Sequence, residues 1–237
     1  MLRKLAWGAG LGTAVLGVVL VAGQAQAATI WTGDPGQGAG AFGNDNCVAP
    51  GSITAVTDPV HGKVFRFHKP AGDRRCEGHG IKVGGTKYAF QNNSTYYFGW
   101  SMKLSSNTDN NANFQWKSYG HHIQNFPLVL KMIGGRLTLL NRQPGNHEFK
   151  PWAKPLAANT WVHLVLGIHT SDALQGGWAE VYVDGVQQTF SNGAKRWPCR
   201  TWDSSNDPKW GVYGAQGTSV DNFVDVLKVG TAYADVA

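Results

Sequence analysis

The sequence predicts an all-β domain, an antiparallel β-sandwich of the jelly-roll type with a concave groove on one sheet. Three observations carry that prediction. Helical periodicity is nearly absent, period-2 alternation is common, and clusters of Gly, Asn, Asp and Pro recur between the alternating runs. About ten such runs within the length of one domain argue two packed antiparallel sheets.

Taken in order, residues 1–27 open with Arg3 and Lys4, continue through an apolar run from Ala14 to Ala22, and end in Ala25-Gln26-Ala27. This is the pattern of a secretory signal peptide with an A-x-A cleavage site. The run is too short and too rich in Gly and Ala for a membrane anchor. A single domain over 28–237 is therefore expected, secreted and extracellular, with no membrane partner after cleavage. The Gly-rich stretch 33–43 reads as an exposed loop. Strand-like runs follow at 63–68, 79–84, 112–119, 127–133, 136–141, 161–169, 178–184, 186–190, 209–214 and 222–229. Another holds Tyr96, Phe98, Trp100, Met102 and Leu104 on one face and Tyr97, Gly99, Ser101 and Lys103 on the other. Asp184-Gly185 between VYV and VQQTF is a hairpin signal. The stretches 141–155 and 191–208, rich in Arg, Lys and Trp, read as loops walling the groove. Arg142, His147 and Lys150 would there lie near an anion or simply face solvent.

The 237 residues carry a formal charge of +6, with a pI near 9.3. The basic residues are scattered and form no run, so nucleic acid is not the expected partner. An anionic polysaccharide suits a secreted basic protein better, and ten Trp and seven Tyr supply surfaces on which sugars stack. A monomer is expected. Three cysteines, Cys47, Cys76 and Cys199, imply one disulfide and one thiol in an oxidising compartment. Cys47–Cys76, nearest in sequence, is the preferred pair, with the other pairings open. No CxxC or His/Cys cluster suggests zinc.

Chemistry-bearing residues concentrate on three strands. In PKWGVYGAQG, Lys209, Gly211 and Tyr213 share a face, with Trp210 and Val212 behind them and Gln216 following. A Tyr can give and take a proton, and a Lys can hold a negative charge. In NANFQWKSYG, Asn113, Gln115 and Lys117 oppose Phe114 and Trp116. In GDRRCEGHGIK, Arg75, Glu77 and His79 share a face, although Gly78 and Gly80 weaken the regularity. Glu77 could simply hold Arg75, and His79 titrates in a usable range without thereby being used. His121-His122 read as a loop pair that could bind metal or sugar, or neither. His163 and His169, with Trp161, read as structural or groove-edge residues. Asp225 reads as a salt-bridge or surface residue rather than a calcium ligand, because no EF-hand spacing surrounds it.

Together, R-x-E (Arg75, Glu77), the Gln115 strand and K-x-G-x-Y (Lys209, Gly211, Tyr213) resemble jelly-roll polysaccharide lyases. The order is similar to that of alginate lyases of polysaccharide lyase family 7. There, however, the Gln strand carries His two positions on, where this chain has Lys117. The stretch WVHLVLGIHTS…GGWAEVYVDG resembles glucuronan lyases (polysaccharide lyase family 20) and heparin-lyase-I-like proteins more. The resemblance runs from about Arg66 to Val229. It implies a secreted enzyme that cuts a glucuronan-like polyuronide by β-elimination. Tyr213, Gln115, Lys209 and His79 would be catalytic, and Arg75, Lys117, Asn113, Glu77 and Gln216 would bind substrate. No cofactor is implied for the chemistry; a structural calcium is. The same residues suit a catalytically inert, lectin-like carbohydrate-binding module, since one fold hosts both. The lyase, unlike the module, requires Tyr213 and Gln115 to face one groove. A retaining glycosidase would need two carboxylates about 5–5.5 Å apart, and no E-x-D-x-x-E strand offers them.

Overall fold

The computed structural model describes residues 28–120 and 124–237. The expected signal peptide and His121-His122 lie outside the described residues. The strands are β1 (Thr29–Thr32), β2 (Phe42–Asp45), β3 (Ser52–Asp58), β4 (Gly62–Lys69), β5 (Arg75–Val83), β6 (Thr86–Lys87), β7 (Thr95–Leu104), β8 (Asn111–Tyr119) and β9 (Leu128–Ile133). They continue with β10 (Arg136–Gln143), β11 (His147–Pro155), β12 (Val162–His169), β13 (Gly177–Val183), β14 (Val186–Gln187), β15 (Trp197–Cys199), β16 (Ser205–Gly214) and β17 (Val220–Gly230). Two antiparallel sheets result. One runs β14-β13-β12-β7-β17-β4-β3, with β1 on β17 and β15 on β13. The other runs β11-β10-β9-β8-β16-β5-β2, with β6 on β5. Neighbouring strands pair antiparallel, and the two sheets make the predicted jelly-roll sandwich.

Alternation explains how the sheets close on each other. Phe98, Trp100, Met102 and Leu104 of β7 point into the core, against Phe114 and Trp116 of β8 and Trp210 of β16. Because side chains alternate across a strand, Gln115, Lys117, Lys209 and Tyr213 are left on the opposite face of the second sheet. The aromatic core is thus the reason the polar residues share an outer surface. Asp184 and Gly185 take positive φ values of 49° and 78° in the β13–β14 turn, the geometry a two-residue hairpin demands.

Several segments differ from the sequence-based reading. The stretch 33–43 is not simply an exposed loop. It forms a short 3₁₀ turn over Pro35–Ala41 and then delivers Phe42 into the core beside Phe65, Phe67 and Trp210. The stretch 141–155 is not a loop: β11 pairs with β10 and closes the edge of the second sheet. Its Lys and Pro residues are typical of a blunted edge strand, which masks the strand signal. β3 was missed for a related reason, since Ile53 is its one buried apolar side chain.

Cys47 is bonded to Cys76, and Cys199 is a buried free thiol whose pKa burial pushes up. The disulfide ties the chain after β2 to the start of β5, immediately beside Arg74 and Arg75. It closes a loop with a sequence separation of 29. Chain entropy assigns such a crosslink about 3–4 kcal/mol. The double variant Cys47→Ser/Cys76→Ser is therefore expected to melt about 10 °C lower, as read by differential scanning calorimetry. An unchanged Tm would show that the crosslink does not restrain the unfolded chain.

Candidate active site

A cavity of about 200 Å³ opens on the outer face of the second sheet. It is lined by Arg74, Arg75, Gln115, Lys117, Asn125, Phe126, Lys209 and Tyr213. Three adjacent strands, β5, β16 and β8, build its floor. Register fixes the neighbours. Lys209 stands between His79 and Gln115, and Tyr213 stands between Arg75 and Ala112. Of the residues singled out from sequence, Tyr213, Gln115, Lys209, Arg75 and Lys117 meet in this cavity.

Glycine at 211 is demanded by close packing. Gly211 has φ +142°, and a Cβ there would collide with the carbonyl oxygen of Cys76 on β5. An extra residue bulges β16 against β8 between Trp210 and Tyr213. Glu77 is paired with Gly211 in register. No side chain therefore stands between Glu77 and Gln115, and the Glu77 carboxylate reaches across β16 to accept from the Gln115 Nε2. Its other oxygen lies 3.9 Å from Lys209 Nζ. Glu77 is only 2% exposed. Burial raises its pKa, opposed by Lys209, the Gln115 hydrogen bond, Arg75 and His79. Glu77 thus orients Gln115 from behind the cavity rather than lining it.

The Tyr213 hydroxyl accepts a hydrogen bond from Arg74 Nη2 at 2.6 Å. The Arg75 guanidinium lies over the Tyr213 ring, 4.8 Å from its centre. Arg74 escaped the sequence reading because alternation puts Arg75, not Arg74, on the face of Glu77. Arg74 lies just before β5, where alternation no longer applies.

The cavity carries an excess of positive charge. Burial lowers the pKa of Lys209; Glu77 opposes the change and Arg75 reinforces it. Lys117 is brought down to about 8 by burial and by the cations Lys209 and Arg75. Its Nζ donates to the backbone oxygens of Ser118 at 3.0 Å and Asn125 at 2.9 Å, and to the Asn125 side chain. Phe126 carries the Arg142 guanidinium at 4.2 Å from its ring centre. Arg142 therefore borders the site through Phe126, held by Glu148 at 2.7 Å. Asn125 and Phe126 fell in a stretch without alternation and gave no sequence signal.

Four expected site residues are placed elsewhere. His79 does not line the cavity. Its Nε2 lies 3.0 Å from Asp207 Oδ2 and 2.7 Å from the Tyr119 hydroxyl, in a cluster that Lys87 joins at 2.5 Å from Asp207. Asn113 is buried at a bulge between Ala112 and Phe114, neither amide atom hydrogen-bonded among the described residues, and is not on the cavity wall. Gln216 is exposed in the turn after β16, because Gly214 and Ala215, both at positive φ, have ended the strand. Glu77 backs the site, as described. His163 and His169 bond Ser101 and Thr95 on the first sheet, away from the cavity. Asp225 bonds His61 at 2.8 Å.

The structural calcium implied by resemblance would need several oxygen ligands. Among the described residues no three His, Cys, Asp or Glu side chains converge to hold a metal. Among the described residues no carboxylate lines the cavity, so the pair that a retaining glycosidase requires is missing from this wall. No helix among the described residues is long and apolar enough to cross a membrane.

Known structures share the architecture. A carbohydrate esterase of the Shiga toxin-encoding bacteriophage phi24B (vb_24B_21) is 14% identical with a TM-score of 0.58, over 86% of this chain and 99% of that one. Alginate lyase AlgAT5 from polysaccharide lyase family 7 is 12% identical with a TM-score of 0.54, over 79% and 85%. The cellulose-induced protein Cip1 is 10% identical with a TM-score of 0.55, over 79% and 88%. These likenesses show the fold. No curated protein matches the chain. The model of the polysaccharide lyase family matches residues 31–225, spanning every strand that builds the cavity, and the chain belongs to that family.

Proposed function

We propose that this polysaccharide lyase acts outside the cell on a glucuronan-like polyuronide, with Tyr213 moving the proton. β-Elimination removes the hydrogen at C5, beside the uronate carboxylate, and breaks the bond from C4 to its glycosidic oxygen. The C5 hydrogen is only weakly acidic while the carboxylate is charged, so the site must neutralise that group and stabilise the enolate-like intermediate. The Gln115 amide has a second Nε2 hydrogen beyond the one given to Glu77, and can donate it to the carboxylate. Lys209, Lys117 and Arg75 supply positive charge around it. Tyr213, as phenolate, takes the C5 proton and returns it to the departing C4 oxygen, leaving a C4–C5 double bond. The observation that carries this reading is the convergence of Tyr213, held by Arg74, with Gln115 in one cationic cavity.

Glucuronan is assigned as substrate from the resemblance of 161–185 to family 20 lyases. Relative kcat/KM across glucuronan, polymannuronate and heparin tests that assignment, with glucuronan expected to rank first. A higher value on either of the others would overturn it.

The charge state of Lys117 makes a separate prediction. With its pKa near 8, the free site loses one positive charge as pH rises through 8. Binding of a uronate oligomer to a Tyr213→Phe variant should weaken over that range, by up to about tenfold for one lost charge-assisted contact. Calorimetric titration at pH 6.5 and 9 reads the effect, which Lys117→Met should flatten. Equal affinity at both pH values would remove Lys117 from the carboxylate's surroundings.

A further inference from the structure

We propose that Lys69 is a positioning residue for Tyr213: its buried ammonium gathers four backbone oxygens as a bound cation would, and it locks together the two turns that hold Arg74 and Tyr213. The inference rests on the reading of Tyr213 as the proton carrier. Lys69 ends β4 and has no exposed surface. Its Nζ lies 3.0 Å from the carbonyl oxygen of Pro70, 3.3 Å from that of Asp73, 3.1 Å from that of Ala215 and 2.8 Å from that of Thr218. An ammonium has three hydrogens, so four oxygens share them, in the manner of a small oxygen-ligated cation.

The four carbonyls are divided between two turns. Pro70 and Asp73 belong to the turn that runs into Arg74. Ala215 and Thr218 belong to the turn that follows Tyr213 and Gly214. Backbone bonds lace the same turns together: Gly72 N–H donates to Gln216 O at 2.7 Å, and Gly214 N–H donates to Arg74 O at 2.9 Å. Gln216 takes part in this lacing through its backbone oxygen. Beyond it, the Arg74 guanidinium closes on the Tyr213 hydroxyl. Burial pushes the Lys69 pKa down and the Asp73 carboxylate pulls it back up. A neutral side chain of similar length would take this donor from the Pro70, Asp73 and Thr218 oxygens and leave the Ala215 oxygen only the Thr218 N–H. The turns would then have to part, and the Arg74–Tyr213 bond would part with them.

The test compares Lys69→Met and Lys69→Ala with the unaltered protein and with Tyr213→Phe. Two readouts are used: kcat and KM on glucuronan, and the phenol-carbon resonance of Tyr213 in protein labelled with ¹³Cζ-tyrosine. That resonance is assigned by its disappearance in Tyr213→Phe. Lys69→Met is expected to lower kcat by about 10²-fold, the scale of a misplaced catalytic group. KM should change little, and the Tyr213 resonance should move. In Lys69→Ala, added ethylammonium should restore part of kcat and return the resonance toward its original position, with no such effect on Tyr213→Phe. Unchanged kcat and an unmoved resonance in Lys69→Met would overturn the inference, while an inactive Tyr213→Phe left the catalytic reading standing. A displaced resonance together with an active Tyr213→Phe would overturn the catalytic reading, while the anchoring of Tyr213 by Lys69 stood. Should Lys69→Met fail to fold, Lys69→Ala refolded with ethylammonium decides. Recovery of resonance and kcat supports the inference, and recovery of neither overturns it.

Discussion

Tyr213→Phe is expected to yield a folded protein that still binds polyuronide but eliminates at least about 10³-fold more slowly. General acid–base catalysis by one positioned group contributes about 10²–10⁴-fold, and in the proposed mechanism one phenol is both base and acid. The variant keeps the ring that Arg75 covers and loses only the oxygen that Arg74 holds. Near-ultraviolet circular dichroism should therefore match that of the unaltered protein. Oligomer affinity should change little, because Gln115, Lys117, Lys209 and Arg75 remain in the cavity. A loss confined to kcat, with affinity intact, separates a missing proton carrier from a disturbed cavity. A variant with full kcat would place the base elsewhere.

Trp210→Ala should produce the largest loss of stability, about 3–5 kcal/mol, lowering Tm by about 10 °C or more. Trp210 has no exposed surface and lies among Trp31, Phe42, Phe98, Trp100 and Phe114, with ring centres between 5.5 and 6.5 Å away. It is the inward-facing residue next to Lys209 and immediately before the bulge at Gly211. Its loss should therefore loosen the strand that carries the site as well as the core behind it. Trp210→Phe should cost distinctly less. Among the described residues the indole N–H has no hydrogen-bond partner, so the smaller ring gives up only volume. Thermal melts of the two variants provide the comparison. Equal melting temperatures for Trp210→Ala and the unaltered protein would mean that these rings do not hold the sheets together.

The sandwich was legible in the sequence because β7, β8 and β16 alternate cleanly. Trp100, Phe114, Trp116 and Trp210 announce an inward face, and Gln115, Lys117, Lys209 and Tyr213 follow onto the outer one by the same period. Where alternation stops, legibility stops. Asn113 sits at a bulge, so counting in twos does not bring it to the wall. Gln216 lies past Gly214, where no strand face exists. His79 shares the face of Glu77 but is taken up by Asp207 and Tyr119, charged and aromatic partners brought from β16 and β8. Long-range partners of this kind leave no local trace in a sequence. Arg74 and Lys69 were hidden for a different reason: both act across turns, Arg74 through a side chain just outside β5 and Lys69 through backbone carbonyls whose residue types are immaterial. β11 went unread because its Pro and Lys residues, which suit an edge strand, are those that normally mark a loop.

Glu77 and Gly211 show how the motif spacing works as a unit. R-x-E and K-x-G-x-Y lie on adjacent strands in a register that pairs Glu77 with Gly211 and Arg75 with Tyr213. The glycine permits close packing on β5 and leaves the path from Glu77 to Gln115 clear, while the bulge carries Tyr213 to a position opposite Ala112. The carboxylate inside the protein thus fixes the amide that would meet the carboxylate of the substrate.

The most direct measurement is ultraviolet absorbance of glucuronan incubated with the purified protein. The C4–C5 double bond left by elimination absorbs, and hydrolysis of the same linkage creates no such chromophore. Elimination through Tyr213 predicts a steady rise with the unaltered protein and almost none with Tyr213→Phe. Chain scission of glucuronan without a rise in absorbance would contradict it.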